Sequence, residues 1–203
     1  MQTSFSVFLL SVLILAGLQF TYAHPPDLVR NPSTTHNSRS PTTPCTSTNL
    51  LQNPSFETGS VSSWTEFVTG SWASRGISKD APHSGAFAFR AVSNSTSSST
   101  LTLAQYEIGA PDSGEMRVGA WVFAAGGVGE MGSVKFTLFA GGRVVGEVVL
   151  SARSGWGAWS QIGADVGSES LRAMTVTVVV DAGGVVGEGI VVGVDDLWVG
   201  LVC

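Results

Sequence analysis

The strongest constraint on this chain is a period of two. From residue 86 onward, apolar side chains alternate with small or polar ones in short segments, and glycine pairs punctuate them. That period puts the apolar groups on one face of an extended strand. Phe87 and Phe89 alternate with Ala and Arg in 86–92, and Leu101 and Leu103 with Thr and Gln in 99–108. Segments 116–123, 133–140, 144–150, 171–180 and 189–199 continue the pattern. Gly126-Gly127, Gly141-Gly142 and Gly183-Gly184 read as turns, because glycine reaches φ > 0 without steric cost. Almost nothing after Cys45 carries a helical period, and no internal repeat is visible. Many short strands with regular turns predict an all-β sandwich or barrel.

The first 44 residues read differently. Residues 5–20 are an apolar run, and Thr21-Tyr22-Ala23 offers a small-residue cleavage site, so 1–23 is expected to be a secretory signal peptide. The run is short, and a polar, Pro-rich stretch follows it, which argues against a membrane span. No later apolar segment is long and unbroken enough to cross a membrane. Residues 24–44 are rich in Pro, Ser, Thr and Asn and carry almost no large apolar side chain. Such a stretch buries too little surface to fold and reads as a disordered arm. The remaining 45–203 is the right size for one domain with a real core.

Net charge is −5, from 10 Lys+Arg against 15 Asp+Glu, with no basic cluster. Nucleic-acid binding needs a cationic stripe to neutralise phosphates, and a membrane-surface helix needs a basic face, so neither partner is expected. The two cysteines, Cys45 and Cys203, bracket the predicted domain. In an oxidising extracellular compartment the simplest reading is one disulfide joining the domain's ends. Two free thiols or an intermolecular bridge are the alternatives. Asn94-Ser95-Thr96 is the sole N-glycosylation sequon and lies in a Ser/Thr-rich loop. A glycan on Asn94 marks that loop as solvent-facing, and an unmodified flexible connection is the other reading.

Three pieces then occur in order: Asn49-Leu50-Leu51-Gln52-Asn53-Pro54-Ser55-Phe56-Glu57-Thr58-Gly59 followed by Trp64, His83-Ser84-Gly85, and Val194-Asp195-Asp196-Leu197-Trp198-Val199. This set resembles the CBM4/9-type, CenC-like carbohydrate-binding modules of secreted microbial proteins, over about residues 45–203. The resemblance implies a galactose-binding-like β-sandwich with jelly-roll topology that binds polysaccharide without chemistry. It also implies a structural Ca²⁺ between the first strand, the loop before the Ser-Gly turn and the last strand's acid. The ligands would be Glu57 and one of Asp195 or Asp196, with Asp80 a further candidate. Hard cations take six to eight oxygens, which suits converging carboxylates and carbonyls. The competing reading is that these acids cap backbone amides in turns.

A sugar site is expected to be a shallow groove of exposed aromatics flanked by polar groups, since sugar C–H faces pack on rings while hydroxyls seek hydrogen bonds. In 116–123 one face carries Met116, Val118, Ala120 and Val122, an ordinary core set. The other carries Arg117, Gly119, Trp121 and Phe123, which suits a groove. Gln105 from the preceding strand is expected as a polar partner and Trp72 as a second aromatic platform. Trp64 is assigned to the core or its cap, Trp198 to an outer face, and at least one of Trp156 and Trp159 to packing.

Catalysis finds no legible constellation. His24 would be the mature amino terminus, as in copper oxygenases, but leads into a flexible arm where a rigid brace is needed. No nucleophile-elbow pattern surrounds any serine that would pair with His83. Glu66, Glu107 and Glu147 are scattered, whereas a glycosidase needs two carboxylates across a cleft. The sequence thus reads as a secreted, monomeric, non-catalytic glycan-binding domain. The alternative is an extracellular surface or wall protein that keeps the sandwich and has lost the sugar groove.

Overall fold

In the computed structural model, residues 48–126, 132–182 and 189–202 are described. The segments expected as signal peptide and arm (1–44), with His24 and His36, lie outside them, as do Cys45, Cys203, Gly127 and the turn expected at Gly183-Gly184. Among the described residues there are ten strands: β1 (Thr65–Thr69), β2 (Trp72–Ser78), β3 (Ala88–Ser93), β4 (Ser98–Tyr106), β5 (Glu115–Gly126), β6 (Ser133–Ala140), β7 (Arg143–Ser151), β8 (Trp159–Gly167), β9 (Ala173–Asp181) and β10 (Ile190–Leu201). They form two five-stranded antiparallel sheets, ordered β1-β4-β9-β6-β7 and β2-β3-β10-β5-β8. Without β1 and β2 the orders become β4-β9-β6-β7 and β3-β10-β5-β8, the eight-strand jelly roll. β1 and β2 each extend one edge.

The period of two sets the core. Met116, Val118, Ala120 and Val122 of β5 face inward and are essentially fully buried. They lie in one cluster with Leu101 and Leu103 of β4, Val176 and Val178 of β9 and Val192 and Val194 of β10. Burying each such branched side chain stabilises by about 1.5–3 kcal/mol. Phe56 is fully buried against Trp64 and Phe89, at 5.9 and 6.0 Å between ring centroids. Trp64 therefore sits in the core, as expected. Gly141-Gly142 makes the β6–β7 hairpin turn. Strands β1, β2 and β8 were not marked by the alternation. All three are edge strands with mostly exposed or half-exposed residues, so they carry little apolar signal.

The opening motif is strapped to the last strand. Leu50 N donates to Val199 O at 2.7 Å, and Asn49 Nδ2 donates to Leu197 O at 2.8 Å. Asn49 Oδ1 accepts from the Leu51 and Val199 amides. Opposite β5, β10 carries one extra residue between Asp195 and Trp198, where the register slips. This bulge frees Leu197 N to donate to Pro54 O at 3.1 Å and puts Asp196 at φ +44°.

Candidate functional site

Register fixes what the outer face of the second sheet presents. Residues directly opposite across an antiparallel pair share a face. Four rows therefore cross β10, β5 and β8: Gly193–Phe123–Trp159, Asp195–Trp121–Gln161, Trp198–Gly119–Gly163 and Gly200–Arg117–Asp165. The outward face read from the alternation, Arg117, Gly119, Trp121 and Phe123, is thus the outer face of a sheet.

The third row is the low point. Neighbouring Gly119 and Gly163 raise no side chain, and a Cβ on Gly163 would collide with the Val118 carbonyl and the Gly119 Cα. Glycine is required there by the close approach of β5 and β8. The result is a trough of about 450 Å³ lined also by Trp198, Gln161, Arg117, Asp165 and Asp196. Trp198 lies alongside Gly200, where a Cβ would meet its indole at 2.9 Å. At the near end Arg117 Nε and Nη2 donate to Asp165 Oδ1 and Oδ2 at 2.8 and 3.1 Å. The hydrogen bond and charge of Asp165 raise the Arg117 pKa, and the Arg117 hydrogen bond lowers that of Asp165. Both groups stay ionised and fixed in a planar fork.

The aromatics of the upper rows pack on one another. His83 lies flat on Trp121, with centroids 3.9 Å apart and planes 16° apart, and meets Trp159 edge-on at 5.7 Å. Trp159 is 5.4 Å from Phe123 and reaches over Gly193, where a Cβ would meet its ring at 3.0 Å. The Arg90 guanidinium sits 5.0 Å above the Phe123 ring, a cation–π geometry. Trp121, Phe123 and Trp159 are all half-buried. His83 therefore covers the Trp121 face on which a sugar was expected to stack.

Two residues expected at this site lie elsewhere. Gln105 is in β4, in the other sheet, and is buried. Its Oε1 accepts from Gln52 N at 2.8 Å, while its Nε2 donates to Gln52 O and Ser63 O at 2.9 and 3.2 Å. It clamps the opening segment and has no amide left for a ligand in the groove. Trp72 pairs with buried Ser93, so it shares the inner face of β2 and packs against the core edge. Its Nε1 donates to Thr69 O. Three strand steps across the sheet separate it from β5. Trp198, Gln161, Asp165 and Trp159 join Arg117, Trp121 and Phe123 in their place.

The carboxylates proposed for Ca²⁺ face donors. Glu57 accepts from the Ala86 and Phe87 amides at 3.1 Å. Asp195 is fully buried and accepts from the His83, Ser84 and Asp196 amides. Asp196 accepts from the Ser55 and Ser84 hydroxyls at 2.7 and 2.8 Å, and its Oδ2 is 2.6 Å from His83 Nδ1. The Asp80 carbonyl accepts from Arg90 Nη1. Among the described residues, no three His, Cys, Asp or Glu side chains form a group that could hold a metal ion. A cation needs oxygens free to converge, whereas the carboxylate oxygens of Glu57, Asp195 and Asp196 point at N–H and O–H groups, so these three do not fit Ca²⁺. Burial pushes the Asp195 carboxyl up to about 6, against the pull of its three amide donors. Partial burial also raises Asp196, but the hydrogen bonds from His83, Ser55 and Ser84 outweigh it and leave it below the usual range.

The sequence matches no family model and no curated protein. Its fold is similar to that of solved carbohydrate-binding modules. TmCBM61, solved in complex with beta-1,4-galactotriose, superposes with a TM-score of 0.51 at 24% identity, covering 75% of this chain and 97% of that one. The CBM22-1 xylan-binding domain from Paenibacillus barcinonensis Xyn10C gives 0.49 at 14% identity over 77% and 96%. The likeness to TmCBM61 is one of fold, the jelly-roll sandwich.

Among the described residues His83 pairs with Asp196, and no serine hydroxyl is hydrogen-bonded to the His83 ring. The Ser55 and Ser84 hydroxyls address Asp196 rather than the His83 ring. Glu66 pairs with Arg75, and Glu147 with Lys135 on the other sheet. Asn94 is exposed, and its Oδ1 accepts from Ser71 Oγ at 2.7 Å.

Proposed function

We propose that this domain binds a polysaccharide, without chemistry, in the glycine-floored trough of the second sheet. The observation that carries the reading is the row Trp198–Gly119–Gly163, an aromatic wall beside a bare floor, closed at one end by the Arg117–Asp165 fork. A pyranose needs an apolar surface for its C–H face and fixed donors and acceptors at its rim. Trp198 supplies the first; Arg117, Asp165 and Gln161 supply the second. Similarity in fold to a module solved with galactotriose supports the same class and picks the first probe. In this reading the protein is secreted and monomeric, and Asn94 carries a glycan away from the trough.

The test is retention on insoluble galactan, xylan, cellulose, chitin and β-glucan, followed by calorimetry on the glycan retained. Trp198→Ala is expected to abolish retention with the fold intact by circular dichroism. Undiminished retention by both Trp198→Ala and Arg117→Ala overturns the assignment. A second reading, a surface protein whose sugar groove is closed, is favoured by the capping of Trp121 by His83. Failure of every glycan to retain the protein would select it.

A further inference from the structure

The two sheets do not close evenly along the edge where β7 faces β8. At Gly146 the strands touch, since a Cβ there would stand 3.0 Å from Gly163 N. Toward the start of β7 a cleft opens between them. Leu138 of β6 pairs with Gly146 and Phe139 with Val144, so Val145 is an extra residue without a partner in the register. A bulge of this kind re-aims the side chain it inserts. Val145 lines the cleft with Ala140, Val166 and Leu171. Ala140 and Leu171 are buried, and Val145 and Val166 are half-buried. The cleft thus has an apolar lining on the inner side of β8, whereas the trough lies on the outer face of that strand.

Its volume is about 220 Å³. An apolar cavity of about 150 Å³ holds a benzene ring, so this cleft takes a group the size of a leucine or phenylalanine side chain. Two opposite charges, Arg143 and Glu169, also line it. Arg143 opens β7 after the Gly141-Gly142 turn. Glu169 sits in the single 3₁₀ turn that follows β8. Its carboxylate folds back over Gly167, where a Cβ would meet Oε2 at 2.9 Å. Both residues are exposed. Among the described residues neither side chain has an ion-pair or hydrogen-bond partner, whereas Arg75, Arg117, Lys135 and Arg172 each meet a carboxylate.

We propose that this cleft binds a free α-amino acid with an apolar side chain. The carboxylate is held by Arg143, the ammonium group by Glu169, and the side chain enters between Val145, Val166 and Leu171. A guanidinium fork matches a carboxylate with two parallel N–H donors, and a lone carboxylate matches an ammonium. The pairing of both charges in one ligand is what separates a zwitterion from a fatty acid or an amine. The site does not depend on the glycan reading of the trough.

The full chain is titrated calorimetrically with L-leucine and L-phenylalanine. Three probes each lack one feature: glycine the apolar group, L-leucinamide the carboxylate and isocaproate the ammonium. Each is expected to bind at least about tenfold more weakly than leucine. Arg143→Gln and Glu169→Gln are expected to weaken leucine by about tenfold each, and Val145→Trp, which fills the cleft, to abolish binding. Arg143 and Glu169 are exposed, so their variants keep the test valid should Val145→Trp fail to fold. No binding of leucine or phenylalanine up to about 10 mM overturns the site, as does glycine binding as tightly as leucine. Leucinamide or isocaproate equal to leucine, or leucine affinity unchanged in both charge variants, overturns the zwitterion assignment.

Discussion

The ring of His83 covers Trp121, and the same imidazole is tied by Nδ1 to Asp196 at 2.6 Å. One loop residue therefore joins the aromatic ridge to the bulge of β10. The bulge puts Asp195 and Asp196 side by side yet gives them opposite tasks. Asp195, buried on the outer face beneath the loop, accepts from the amides of His83 and Ser84, while Asp196 accepts from their side chains. The His83-Ser84-Gly85 turn is held from both sides.

Replacing His83 by alanine is expected to destabilise the fold by about 2 kcal/mol, from a lost stacking contact and a charge-assisted hydrogen bond. Urea denaturation measures this, and the tryptophan emission should shift to longer wavelength as Trp121 becomes wet. Affinity for the retained glycan is expected to hold or rise, because His83 caps Trp121 and does not line the trough. A loss of affinity would make His83 itself a ligand contact.

The two aspartates give opposite pH signatures. The folded Asp195 carboxyl titrates near 6, above its unfolded value, so the native state holds the proton more tightly. Its contribution is full below the unfolded value near 3.8 and is lost as pH rises through about 6. The swing is at most about 3 kcal/mol. Asp196, lowered, contributes above its unfolded value and loses that contribution as pH falls further. The excess stability of the wild type over Asp195→Asn should shrink between about pH 4 and 7, read from denaturation midpoints. A difference that grows over that range contradicts the buried carboxyl.

Strand alternation was legible because each core strand is apolar on one side only. It placed Arg117, Gly119, Trp121 and Phe123 together correctly. It gave no warning of β8, whose inner face, Ser160, Ile162, Ala164 and Val166, is small and broken by serine. Hence Trp159, Gln161 and Asp165 escaped, although they stand directly opposite Phe123, Trp121 and Arg117. Register between distant strands is a tertiary property, and sequence spacing does not encode it. For the same reason Gln105 and Trp72 looked available. Each is a polar or aromatic group at a strand position whose partner, Gln52 or Ser93, is chosen by the fold.

Gln105 is expected to matter for stability and not for ligand. Gln105→Leu leaves the Gln52 amide and carbonyl without partners in a partly buried place, which should cost about 2–3 kcal/mol. Glycan affinity of the folded variant should match the wild type. Equal stability with reduced affinity would return Gln105 to the binding site.

Because Glu57, Asp195 and Asp196 already accept from backbone and hydroxyl donors, chelation should leave the melting temperature unchanged. Differential scanning calorimetry with and without EDTA checks this. A drop in Tm restored by Ca²⁺ would show that the loop at 80–87 rearranges around an ion.

The described chain begins and ends beside itself. A Cβ on Gly200 would meet the Thr48 carbonyl at 3.0 Å, and Leu50 N bonds Val199 O while Val202 N bonds Glu115 O. Residues 48–50 and 199–200 therefore run antiparallel. Cys45 stands three residues before Thr48 in sequence and Cys203 one residue after Val202, and one disulfide between them is the expectation put to test. The expected outcome is one intramolecular disulfide in the protein recovered from an oxidising compartment, with both thiols resistant to alkylation until reduced. Closing so long a loop is worth up to about 5 kcal/mol in the chain-entropy model, so Cys45→Ser should lower the denaturation midpoint and match the reduced wild type. Two alkylatable thiols in the oxidised monomer, or a covalent dimer, would mean that the strap from Asn49 to Val199 closes the sandwich by hydrogen bonds alone.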